Sequence, residues 1–162
     1  MTNERATRSW AGLTAVLALH NLEEWARDLP AWTAIHTPVP ELVHASLYSG
    51  FTFGLILVSV VPVIVAVGAR RLVPKHEPLL LAVFAWVLVA NATWHIALSL
   101  LSWTLMPGLF TSLGLLLPVS LRVIWASPSR YRNGWIILWA VIVMIAVTLI
   151  TLILSVLAVT FG

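Results

Sequence analysis

Three ionisable side chains lie together inside an otherwise apolar run: His20, Glu23 and Glu24, in the order His-Asn-Leu-Glu-Glu. Glu23 follows His20 by three residues and Glu24 by four, so on a helix both project from the same face as the imidazole. An imidazole and carboxylates at that spacing can hold a metal ion. The order reverses the Glu-x-x-His pair with which helix bundles supply two ligands from one helix. A desolvated glutamate can also give or take a proton with no metal present. Ionisable groups inside membrane segments are rare and usually face the bundle interior, so the cluster marks a site.

Other residues fit the same chemistry. His44 and His95 add imidazoles, and Asn91 stands one turn before His95. Glu41, His44, Tyr48 and Thr52 form one helical stripe, and Asn91, His95, Ser99 and Ser102 form another. His20, Glu24, His44 and His95 are the candidate metal ligands, a donor set that suits zinc or iron. Glu23 is the candidate general base to a metal-bound water. Asn91 and Tyr48 complete the candidate catalytic set with Glu23 and Glu24, although Tyr48 reads more readily as a packing residue than as a catalytic one. The bland alternative makes the motif a helix end at the interface, with Arg27 pairing with Glu23 or Glu24. One arginine balances only one of two acids.

The elements that must position these groups are membrane helices. The chain has 162 residues, of which 60% are hydrophobic and 9% charged. With a mean hydropathy of +1.00 it is far more apolar than a soluble domain. The fold class is all-α, a polytopic transmembrane helix bundle in a single domain over 1–162. Five runs reach the ~20 residues that a crossing needs, near 9–27, 43–68, 77–105, 108–126 and 134–160. The first is the shortest and most polar, and a four-span chain with that stretch lying in the interface is the main rival reading. The stretch follows a basic N-terminus as a secretory leader would, but its histidine and two glutamates read as a retained span. Residues 28–42, with Pro30, Pro38 and Pro40, read as an irregular loop with Trp32 as an interface anchor. Pro62 and Pro118 predict kinks, and Gly50 with Gly54 predicts a close helix approach. There is no cysteine and so no disulfide or thiolate chemistry.

The nine Lys and Arg residues set an expected orientation. Arg5, Arg8, Arg70, Arg71, Lys75, Arg122, Arg130 and Arg132 fall on one side of a five-span chain, and Arg27 alone on the other. The positive-inside rule then puts the N-terminus in the cytoplasm and His20, Glu23, Glu24, His44, Asn91 and His95 in the outer leaflet. Thr111 and Ser112, just after Pro107-Gly108, fall at the mouth of the same region. The few basic residues are explained by topology, so the high pI implies no nucleic acid as partner.

Read as His-x-x-Glu-Glu near the N-terminus of a small multispan chain, residues 20–24 resemble the HXXEE domain family. Asn91-x-x-x-His95 and Pro107-Gly108-x-x-Thr111 look like further family features. The resemblance covers most of the chain. It implies a membrane protein of bacterial type, hence the inner membrane, with a suspected enzymatic role and no settled reaction.

Together these readings give an expected membrane-embedded enzyme acting on a lipid-like or prenyl-like substrate that enters from the bilayer, by hydrolysis at a metal-activated water. Membrane lipids and a lipophilic small molecule are the expected partners, and oligomeric state is left open. The alternatives are a metal-free isomerase or cyclase, in which a glutamate protonates an alkene or epoxide, and a non-enzymatic sensor or carrier of a metal ion or proton. Transport would need a continuing line of ionisable groups through the cytoplasmic half of the spans, where the sequence offers only Glu77 and Arg122 near span ends.

Overall fold

The structure, a computed structural model, describes residues 3–38 and 41–161; the side chains of 3, 41–49, 155–156 and 158–161 lie outside the described residues. The described residues are mostly helical, with no strand among them. In chain order they form α1 (Asn3–Ala26), α2 (Leu29–His36), α3 (Glu41–Leu72), α4 (Glu77–Ser102), α5 (Leu109–Thr111), a π-helical stretch (Ser112–Leu116), α6 (Leu117–Ala126), a 3-10 turn (Ser129–Tyr131) and α7 (Gly134–Phe161).

Four of these segments are long and apolar enough to cross a bilayer: Gly50–Leu72, Glu77–Ser102, Leu109–Ala126 and Gly134–Leu154. α1 has 24 residues, about 36 Å at the usual helical rise, so it has the length to span as well. Its polar groups keep it out of the apolar class. They are tolerated because the helix is packed into the bundle. Trp10, Leu13, Val16 and Leu17 of α1 interlock with Leu81, Ala85, Leu88 and Ala92 of α4 and with Leu116, Val123 and Ile124 of the π stretch and α6. Five spans in the sequence thus correspond to five long helical segments, one of them polar and central.

α7 lies outside that core against α3 and α4, with large apolar side chains such as Trp135, Trp139 and Ile153 exposed. Gly54 permits its approach to α3, since a Cβ there would stand 2.7 Å from Thr151 Cγ2. The small-residue spacing in the second span therefore corresponds to a real close approach.

The structure departs from the sequence reading in two places. Residues 28–42 are not wholly irregular, because α2 occupies 29–36. Asp28 starts it, accepting the Ala31 N–H at 3.1 Å, and Pro30 sits in the first turn, where a missing N–H costs nothing. Trp32 of α2 donates its indole N–H to Thr104 beyond α4 at 3.0 Å, tying the two connections together. The fourth span is also not a uniform helix. Pro118 has no N–H to give the preceding turn, and the chain widens to π winding over Ser112–Leu116 just before it. Pro62 lies inside α3, which continues on both sides of it.

Candidate functional site

His20 and Glu24 stand one turn apart on the buried face of α1, and Asn91 and His95 one turn apart on α4. The two faces meet near the end of the bundle where α4 gives way to the Met106-Pro107-Gly108 turn. Glu24 Oε1 lies 3.2 Å from His20 Nε2 and 3.0 Å from His95 Nε2. The imidazoles meet edge to face, with ring centroids 4.6 Å apart. His20 is fully buried, and His95 and Glu24 keep only 2% and 7% of their surface. The ligand atoms of these three residues all lie within 4.8 Å of one another, a group that could hold a metal ion.

The remaining ring nitrogens decide where the protons are. His95 Nδ1 faces the Pro107 carbonyl at 2.8 Å, and a carbonyl can only accept, so Nδ1 carries a proton. His20 Nδ1 faces the Thr111 hydroxyl at 3.0 Å. That hydroxyl's single proton goes to Glu23 Oε2 at 2.6 Å, with the Gly108 carbonyl farther off at 3.2 Å, so the oxygen accepts from His20 Nδ1–H. Asn91 Nδ2 donates to His20 Nε2 at 3.0 Å, which agrees with a lone pair there. In their neutral forms both imidazoles therefore turn Nε2 lone pairs toward one carboxylate oxygen. Three electron-rich atoms converge, an arrangement that a metal ion between them or a proton shared with Glu24 would make favourable.

The two glutamates of the motif go different ways. Glu24 turns to the histidines. Glu23 turns to the start of the next helical segment, accepting from the Thr111 N–H at 2.7 Å, the Phe110 N–H at 3.3 Å and the Thr111 hydroxyl. Arg27 reaches Glu23 at 3.6 Å and lies over the Phe110 ring. Asn21, a buried neighbour of His20, clasps α1 to α3 through Ser59 Oγ at 2.7 Å.

Gly108 closes the site from above. Its φ of +89° belongs to the left-handed region, and a Cβ would stand 2.7 Å from His20 Cε1 and 2.9 Å from His95 Nδ1. Only a residue without a side chain lets the turn rest on both rings. Ser99 holds the same turn by accepting the Met106 N–H at 3.0 Å.

A family model described as a protein of unknown function with HXXEE motif matches residues 11–126. The chain belongs to that family. The matched stretch takes in most of α1, all of α4 and the segment through α6, so every group at the convergence falls within it. No curated protein and no solved structure matches the chain.

Of the residues singled out in the sequence, His20, Glu24, Asn91 and His95 come together directly, and Glu23 joins them through Thr111. His44 and Tyr48 belong to α3, but their side chains lie outside the described residues. Sequence reasoning missed the Pro107 carbonyl and the demand for glycine at 108. A Pro-Gly pair at 107–108 signals a turn, but no spacing rule says which ring a backbone carbonyl will meet.

Proposed function

We propose that this chain is a membrane-embedded metalloenzyme in which His20, Glu24 and His95 hold a divalent ion, zinc or iron. What carries the reading is the pair of Nε2 lone pairs directed at Glu24 Oε1, each ring having its other nitrogen committed as a donor. Histidines that ligate metals commonly donate the second N–H to a carbonyl or carboxylate-linked group in this way. The separations of 3.0 and 3.2 Å also approach the ~3.3 Å between tetrahedral ligands that bonds of about 2.0–2.1 Å give. Turning over the Asn91 amide would release His20 Nε2 and offer an oxygen as a further ligand.

Three protein ligands leave a position for water, as in catalytic rather than structural zinc sites. Glu24 reaches both histidines through Oε1, and its second oxygen could take a proton from that water. Glu23 is less suited to be the base, because its oxygens are spent on Thr111 and Phe110. The apolar surroundings favour a lipid-like or prenyl-like substrate reached from the bilayer, and hydrolysis is the reaction first in line. The charge distribution supports a cytoplasmic N-terminus in a bacterial inner membrane, with the site in the outer half.

One observation favours a second reading. The two Glu24–histidine separations also suit a shared proton, as acid/base isomerase or cyclase chemistry would use. Metal analysis of protein purified in detergent separates the two. The metal reading expects about one zinc or iron per chain, lost in His20→Ala and His95→Ala. Wild-type protein that retains none, and takes up none when zinc or ferrous ion is added, ends it.

A further inference from the structure

The first glutamate of the motif, Glu23, has no direct contact with the proposed ion, yet its contacts reach it through one hydroxyl. We infer that Glu23 and Thr111 are a positioning pair that fixes the tautomer of His20 and so presents Nε2 to the metal. The inference rests on the metal reading for its affinity arm and on hydrogen-bond geometry alone for its spectroscopic arm.

Glu23 takes both the backbone N–H and the hydroxyl of Thr111, at 2.7 and 2.6 Å. The first bond places the residue and the second points its proton away from His20. With that proton committed, the oxygen 3.0 Å from His20 Nδ1 can only accept. Nδ1 must then carry the hydrogen, and the lone pair is left on Nε2, beside Glu24 and His95. Ser112 Oγ stands 3.5 Å from the same Nδ1, too far to take over the task. Arg27 beside Glu23 keeps the carboxylate's outer oxygen occupied. His95 is oriented independently by the Pro107 carbonyl, so the two rings have separate controls.

Two adjacent acids thereby acquire distinct work. From His20, Glu24 at i+4 reaches the ring's Nε2 side, while Glu23 at i+3 leaves by the other side of the helix to hold Nδ1 through the next segment. A scaffold role for Glu23 alone would require only its bonds to the Phe110 and Thr111 backbone.

The test compares wild type, Thr111→Val and Thr111→Ser for zinc affinity in detergent, and for the His20 tautomer by 15N spectra of histidine-labelled, metal-free protein. Thr111→Val should weaken zinc binding by about 10- to 100-fold while the protein still folds, with a modestly lower melting temperature. It should also convert the His20 Nδ1–H signal into a mixture of tautomers, leaving His95 as it was. Thr111→Ser should restore both. If Thr111→Val fails to fold, Glu23→Ala reads the same chain, because the freed hydroxyl can then donate to His20 and the Nδ1–H fraction falls. A Thr111→Val protein with wild-type zinc affinity and an unaltered His20 signal overturns the inference while leaving the metal site standing. If wild type takes up neither zinc nor ferrous ion, the metal reading falls. The spectra then decide the positioning role: a shifted tautomer in Thr111→Val upholds it, and an unshifted one ends it.

Discussion

Glu24 and Glu77 are nearly equal in burial, at 7% and 8% exposed, and their surroundings could hardly differ more. Glu77 opens α4 and accepts from Arg70 Nε in the last turn of α3 at 2.9 Å. A guanidinium keeps its charge under all ordinary conditions, so the charge of Glu77 is balanced within the pair. Glu24 meets two imidazoles whose charge is conditional and whose lone pairs are turned toward it. The nearby cation, Arg27, goes to Glu23 instead. The contrast separates a carboxylate that clips two helices together with an arginine from one that meets two imidazoles and that the metal reading makes a ligand. Burial alone would have ranked the two alike.

The sharpest way to break this contrast is Glu24→Gln. It keeps the shape and removes the charge, and bound metal should drop from about one ion per chain to a trace when assayed by elemental analysis. A Glu24→Gln protein that keeps its ion would make Glu24 no more a ligand than Glu77. Gly108→Ala comes next. Strain at positive φ and the collision with both rings should cost about 1–3 kcal/mol of stability and weaken metal binding more than tenfold, read from thermal unfolding and metal titration. Arg70→Ala should act on stability alone. Arg70 is a third exposed, so the loss should fall at about 1–3 kcal/mol, below that of a fully buried pair, with metal content unchanged. Loss of the ion in that variant would erase the distinction between the two sites. The smallest effect belongs to Asn21→Ala, which unlatches α1 from α3 at Ser59. About 0.6 kcal/mol is expected, the average for a hydrogen bond between membrane helices, seen as a small shift in melting temperature.

Much of this was legible in the sequence, for one physical reason: hydrocarbon punishes unpaired polar groups, so the polar residues of membrane helices announce where helices meet. His20, Glu24, Asn91 and His95 could be matched by spacing and level along the helices. The differing duties of Glu23 and Glu24 could not. At about 100° per residue they stand some 60° to one side of His20 and 40° to the other, and which side faces which neighbour depends on packing. Backbone contributions were equally hidden, since the Pro107 carbonyl that orients His95 carries no side-chain signature. α2 escaped notice because its three flanking and internal prolines, at 30, 38 and 40, suggest a break, whereas Pro30 stands where a helix accepts one. α1 was harder to class than the other spans for the opposite reason. The residues that give it chemistry are those that lower its apolar score.

The π winding at Ser112–Leu116 lodges one residue more than regular coiling requires. That surplus uncouples two obligations of a single rod. At its leading edge, Thr111 and Ser112 look toward His20; behind it, Ser120, Val123 and Ile124 are buried in the interior. Excising one residue would let the rod coil evenly, yet it would swing one of those two groups by about 100°, away from its neighbours. The irregularity works as a phase adjuster, letting the upper part of the rod keep its aim without dragging the lower part out of the seam.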